Sequence, residues 1–177
     1  ARRYVNTTDF YPASKIEIPF VKSAIDKEIL KDTGHYRVAN FTGNFMSDGA
    51  TSYFHKSIGG YHAAKLGRYQ ELVDFHIQKN NVQVLNMLHT KYFILPGENR
   101  QKTLQINAEA NGNAWFVNNV LFVATADAEM AALSTFNSKT TAVVNRLEFS
   151  EFASAYKTLS NEISGQVQLQ QYQPNAL

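Results

Sequence analysis

Cysteine is absent from all 177 residues. Disulfides, thiolate nucleophiles and zinc sites built on cysteine are thereby excluded, and the absence is compatible with an oxidising compartment. No window of about 18 consecutive apolar residues occurs, so no segment reads as a bilayer-spanning helix. No signal-peptide pattern opens the chain. It begins Ala1-Arg2-Arg3, without methionine, which reads as a cut end. Charge of one sign is also scarce: 17 Lys and Arg against 15 Asp and Glu leave a balance of +2, and Arg2-Arg3 is the densest basic pair. Nucleic-acid recognition needs a clustered cationic surface and is not expected.

What is present is the composition of one folded domain. Hydrophobic residues make up 44% and charged residues 18%, enough apolar material for a core in a chain of this length. Residues 1–35 read as an arm. Pro12 and Pro19 punctuate an extended stretch in which Ile16, Ile18 and Phe20 alternate with Glu17 and Pro19, and a short helix follows over Ser23–Lys31, closed by Gly34. Residues 36–177 read as a single domain. Tyr36–Phe41 is a strand, Ser47-Asp48-Gly49 a turn and Gly59-Gly60 a break. Leu66, Tyr69, Val73 and Ile77 share one face of a helix predicted over Tyr61–Lys79, and Val82–His89 forms a second. Strands are expected at Tyr92–Leu95, Thr103–Ala108, Ala114–Ala124 (with a bulge at Asn118-Asn119), Thr141–Leu147 and Val167–Gln171, and helices at Asp127–Leu133 and Glu151–Leu159. The order gives an α+β fold: a mixed β-sheet with packed helices, including one long amphipathic helix around 61–79.

The densest chemistry lies in residues 52–69. This segment holds Tyr53, His55, Lys56, Tyr61, His62, Lys65, Arg68 and Tyr69 around the Gly-Gly break. A glycine turn feeding a helix can bind an anion such as a phosphate, and tyrosine faces with cationic tips suit a sugar phosphate. No Gly-Lys-Ser/Thr ending makes this a P-loop. The competing reading is that the tyrosines are core and the charges solvated. His62 and His76, 14 residues apart on one helix, would stand about 21 Å apart and cannot share a metal. His55 and His62 could approach only if the Gly-Gly turn folds back, and His35 and His89 have no ligand-spaced neighbour, so no metal is expected. Glu71 follows Arg68 by three residues, as a helix-surface ion pair would. Trp115 lies in an apolar run and is more often a core anchor than a sugar platform. No G-x-S-x-G turn occurs.

Residues 52–66, Ser-Tyr-Phe-His-Lys-Ser-Ile-Gly-Gly-Tyr-His-Ala-Ala-Lys-Leu, resemble a signature of the YfhO-like bacterial membrane proteins. The resemblance continues through Val84–Ile94, Gly112–Val117, Thr141–Val144 and Tyr172–Leu177. Two positions depart from that pattern: His89 stands where Asn is usual, and Gly67 where Arg is usual, which removes a charge from the cationic face. The resemblance implies a polytopic membrane protein similar to glycosyltransferases that use a lipid-linked sugar. Its catalytic acid would lie in a loop between early membrane helices, outside this chain. The present segment would be an extracytoplasmic (periplasmic) portion at the inner membrane, after a block of membrane helices. The family continues past Leu177 with further strands and a membrane helix, so the last strand would lack a neighbour and expose an edge.

On this reading the chain carries no catalytic residue, cofactor or metal of its own. Its partners are the protein's own transmembrane region and a lipid-linked sugar or envelope glycan. The candidate ligand-binding residues are Tyr53, His55, Lys56, Tyr61, His62, Lys65, Arg68 and Trp115. The alternative is a non-catalytic glycan- or protein-binding module of the envelope. A free-standing soluble enzyme would need convergent acid–base groups that the sequence does not display.

Overall fold

The computed structural model describes residues 6–156 and 165–172. Seven short helices and five strands alternate: α1 Ala13–Glu17, α2 Ala24–Ile29, β1 Arg37–Asn40, α3 Gly49–Phe54, α4 Gly67–Phe75, α5 Val82–Met87, β2 Thr90–Pro96, β3 Lys102–Ile106, β4 Asn119–Val123, α6 Ala126–Ala132, β5 Thr141–Asn145 and α7 Ser150–Ala155. The fold is α+β, and its main sheet is mixed. β1 and β2 pair in parallel, with three helices in the connection between them, while β2 and β3 pair antiparallel. A separate two-stranded parallel sheet joins β4 to β5 through α6.

Strand alternation covers the main sheet on both faces. On β1 and β2, Val38, Tyr92 and Ile94 turn one way and pack with Ile29 and Tyr36. Ala39 turns the other way, into a larger cluster of Ile58, Val73, Ile77, Val84, Leu85 and Phe136. One face is therefore closed by α2 and the other by α4 and α5. Each fully buried aliphatic side chain contributes about 2 kcal/mol through loss of apolar surface from water. Because Ile29 belongs to this packing, α2 is part of the body, whereas residues 10–21 lie exposed.

Local chemistry explains several helix starts. Ser23 and Asp26 form a reciprocal capping box at α2. Asp48 caps α3, Asn81 caps α5 and Thr125 caps α6, each through a side-chain oxygen accepting a first-turn amide. Polar side chains then fasten α6 and the segment after it to α4 and α5. His76 Nε2 donates to the Met130 carbonyl (2.9 Å), so its Nδ1 is the acceptor for Asn81 Nδ2 (3.1 Å). Asn81 also donates to the Leu133 carbonyl (2.8 Å), and Gln83 Oε1 accepts from both the amide and the hydroxyl of buried Ser138.

Several expectations are corrected. The predicted 61–79 helix is confined to α4, Gly67–Phe75, followed by a separate 3-10 turn at Ile77–Lys79. Residues 61–66 are not helical: Leu66 is extended, and the His62 ring accepts the Ala64 amide, closing a turn in place of helical bonding. Leu66 is 77% exposed, whereas Tyr69, Val73 and Ile77 do turn inward. His76 ends α4 because its ring is held by Met130 and Asn81. The turn expected at Ser47-Asp48-Gly49 instead starts α3. The extended arm contains helix α1. The strand expected over Ala114–Ala124 spans only Asn119–Val123, without a bulge, in the small sheet. Residues 165–172 form no strand, having no ladder partner among the described residues. Arg2-Arg3, residues 157–159 of the expected last helix and residues 173–177 lie outside the described residues.

His89, between α5 and β2, has φ +54°, a left-handed conformation that Asn adopts more readily than most residues. His89 Nε2 donates to the His35 carbonyl (2.8 Å) and Nδ1 accepts the Gly112 amide (3.1 Å), so the ring is held neutral. Burial, reinforced by nearby cations, lowers its proton affinity. The unfolded chain takes up this proton below about pH 6.5 and the native state resists it. Stability contributed here is complete above that pH and declines as pH falls below it. His89→Asn is expected to fold and to lose less melting temperature than the parent between pH 7.5 and 5.5. Equal losses in thermal melts of the two proteins would clear the imidazole of this role.

Candidate functional site

The polar-aromatic segment 52–69 does not converge on one place. After α3 the chain runs extended beside β1: Val38 donates to the Lys56 carbonyl and accepts from the Ile58 amide, both at 3.0 Å. Residues 56–58 thus extend the sheet edge. The two glycines that follow are required by packing. A Cβ on Gly59 would meet the Phe45 carbonyl oxygen at 2.4 Å, and Gly60 has φ +102° against Ser52. Their amides are already used, by Ser57 Oγ and the Phe45 carbonyl.

From this frame the candidates scatter. Tyr53 stacks edge-on with Phe20 and Phe54 on the outer face of α3. The His55 side chain is 1% exposed and bonds Asp26 of α2 (2.9 Å), a tie between helices. Hydrogen bonds from Ser23 and His55 outweigh burial and lower the Asp26 proton affinity. Lys56 lies over the Tyr172 ring at 4.3 Å. Tyr61 is 79% exposed. His62 and Lys65 share a cleft, and Arg68 and Trp115 share another.

The Arg68–Trp115 cleft has a volume of about 400 Å³, within the range of small-molecule sites. Met87, Leu133, Phe136 and Val143 supply apolar lining, Trp115 and Met130 add polarisable surface, and Arg68, Glu71 and Glu129 supply charge. The Trp115 indole N–H donates to the Ser138 carbonyl (2.9 Å), which also accepts from Asn111 (3.0 Å). That bond fixes the ring plane while leaving the residue half-buried. Arg68 pairs with Glu148 at 2.6 Å and feels Glu129 and Glu71 as well, so its guanidinium is held charged. The expected pairing of Arg68 with Glu71 gives way to Glu148, 80 residues on. The surface is apolar with an edge where one guanidinium meets Glu71, Glu129 and Glu148, suited to binding a ring with polar substituents.

The second cleft, of about 540 Å³, lies on the other side of the first turn of α4. Leu66 and Tyr69 face it while Arg68 and Glu71 face the first; at the end of α5, Leu88 faces it while Met87 faces the first. Beside His62 and Lys65 it includes Arg37, which sequence reading missed. Arg37 opens β1, and only the docking of residues 56–60 on that strand brings it to His62. Burial pushes the Tyr69 phenol up against the opposing influence of Arg37, and the phenol donates to the Ile58 carbonyl. Ser138, Met130 and Phe136 of the first cleft were also missed. Their sequence signals, a place inside the expected helix for Met130 and just after it for Phe136 and Ser138, carry no chemistry.

Among the described residues no three His, Asp or Glu side chains are placed to hold a metal ion, and no helix is long and apolar enough to cross a membrane. Compared with family models, curated proteins and solved structures, the chain has no match.

Proposed function

We propose that this chain is an extracytoplasmic domain of a YfhO-like membrane protein, accessory to glycosyl transfer from a lipid-linked sugar to an envelope polymer. Its task is to bind a glycosyl group at the Trp115 cleft and hold it for chemistry supplied by membrane-embedded parts of the protein. The observation that carries the reading is the cleft itself, a half-buried indole locked in plane beside an apolar wall with charges at its edge. A sugar ring presents an apolar C–H face to such an indole and hydroxyls to the edge. The run of segments resembling the family supports placing the domain outside the membrane. No acid–base pair is assigned to this chain.

Trp115 is the only tryptophan, so the emission reports on the surroundings of this one residue, which lines this cleft and a neighbouring one formed with Phe116, Lys139 and Gln166. Titration of the chain with a water-soluble, short-chain polyprenyl phosphohexose should shift and quench the emission saturably. Trp115→Ala should weaken binding, followed by calorimetry, by about tenfold, the value of one well-placed aromatic anchor. Arg68→Gln should weaken it less, since that cation is already paired. A flat titration would end the glycan reading. Equal affinity for the same hexose without its lipid phosphate would move the reading to a plain glycan-binding module.

A further inference from the structure

We propose that the cleft walled by Arg37, His62 and Lys65 is an anion site that takes the phosphoryl group of a phosphate ester. The first support is charge. No carboxylate lines this cleft. Among the described residues Lys31, Arg68, Lys91 and Lys139 each face an Asp or Glu, while Lys15, Lys56 and Lys79 lie over aromatic rings. Here the cations have only neutral partners: Arg37 Nη1 donates to the Leu88 carbonyl at a long 3.3 Å, and Lys65 Nζ donates to Gln70 Oε1 at 3.0 Å. Two like charges gathered without a counter-charge attract an oxyanion.

The second support is donor supply. The guanidinium offers a planar fork with donors to spare beyond the Leu88 bond, and the ammonium offers further donors. His62 Nδ1 accepts from the Ala64 amide (3.2 Å), which leaves Nε2–H as its donor. Three side chains from β1 and the 61–66 turn thus bring donors to one cavity, and a tetrahedral anion has oxygens for all of them. The glycine amides are committed elsewhere, so recognition comes from side chains, unlike a P-loop. The third support is rigidity. The wall carrying Gly59 and Gly60 is bonded to β1 and pressed on Phe45, so the cavity is preformed.

The site lies across one helical turn from the Trp115 cleft. A ligand with a sugar ring at one end and a phosphoryl group at the other would straddle α4. This deepens the glycan reading and rests on it only for the identity of the sugar end.

The test uses the 177-residue chain with pyrophosphate, hexose 1-phosphate and methyl hexoside, followed by calorimetry at low salt. Both phosphates should bind saturably at millimolar concentration or below. Their affinity should fall about tenfold, a loss of about 1.4 kcal/mol, in Arg37→Gln/Lys65→Gln. His62→Gln, a change at an exposed turn, should weaken them about threefold, which keeps the test decisive if the double variant unfolds. Lys79→Gln should leave them unchanged, as a control for net charge. Absence of saturable phosphate binding below ~10 mM, or equal affinity in the double variant, His62→Gln and the parent, would overturn the proposal. Phosphate binding without any Trp115 response to the lipid-linked sugar would sink the glycan reading and leave the anion site standing.

Discussion

Gly59→Ala should cost the fold about 3 kcal/mol, the upper end of what an overpacked site loses. The added Cβ would fall 2.4 Å from the Phe45 carbonyl oxygen and 3.0 Å from its ring. A backbone atom cannot rotate away as the tip of a side chain can. Phe45 is itself stacked on Phe41 at 5.6 Å, and Phe41 touches Phe93 of β2. Its carbonyl also accepts the Gly60 amide at 2.9 Å. Relief of the clash therefore has to move residues 56–60 off β1 or Phe45 off the core. Gly60→Ala should cost less, about 1–2 kcal/mol. There the strain is a φ of +102° and a contact at 2.6 Å with Ser52 Oγ, a side chain that can turn. Gly43→Ala, with nothing within 4 Å of its new Cβ, is the control and should stay within about 0.5 kcal/mol of the parent. Urea unfolding of the three variants would establish the order. A Gly59→Ala protein as stable as Gly43→Ala would mean that the wall at residues 56–60 yields easily, and a preformed anion cleft would go with it.

The sequence features that survived into the structure are those whose cause is local. The helices expected over Ser23–Lys31 and Val82–His89 are found as α2 and α5, each started by its own capping side chain, and the apolar run Tyr92–Leu95 lies within β2. The mixed α+β character follows from their order. The long helix failed where the cause is distant. Tyr69, Val73 and Ile77 keep the helical face, but Leu66 matches the same spacing and sits in solvent. What breaks the pattern is the docking of Lys56–Ile58 on β1 and the turn closed by the His62 ring, and neither leaves a periodic signal. The apolar run from Ala114 reads as a strand for the same reason. Its tryptophan is fixed by a carbonyl 23 residues away, and no ladder forms until Asn119.

The candidate residues behaved likewise. His62 and Lys65 are near in sequence and near in space. His55, seven residues before His62, is instead taken by Asp26, 29 residues upstream. Arg37 could be added only once β1 had acquired its extra neighbour.

Asp48→Ala should cost about 3 kcal/mol as well, for an unrelated reason. Asp48 was legible as a turn residue, yet it joins α3 to β1. Its Oδ1 accepts the Thr51 amide at 3.1 Å and caps α3; its Oδ2 accepts from Asn40 Nδ2 at 2.7 Å and from the Thr51 hydroxyl. Asn40, at the end of β1, and Thr51 are both buried. Asn40 spends its other groups on Thr51 Oγ1 and on the amide and hydroxyl of Thr42. Removing the carboxylate deletes a cap worth about 1 kcal/mol. It also leaves an amide N–H and a hydroxyl in the interior without an acceptor, which adds about 1–3 kcal/mol. Asp48→Asn cannot restore both duties. With its amide oxygen at the cap it turns an NH2 toward the Asn40 NH2, and with the amide reversed it loses the cap. It should therefore keep less than half of the stability that Ala forfeits. An Asn40→Ala/Asp48→Ala cycle should show about 1–2 kcal/mol of coupling, as expected for contacting members of one network. Additive losses in that cycle would show that the carboxylate serves only the helix end. With coupling present, the network holds α3 against β1. The chain leaves α3 at His55 directly into the wall of the cationic cleft, so weakened phosphate binding should accompany the stability loss even at temperatures where the variant remains folded.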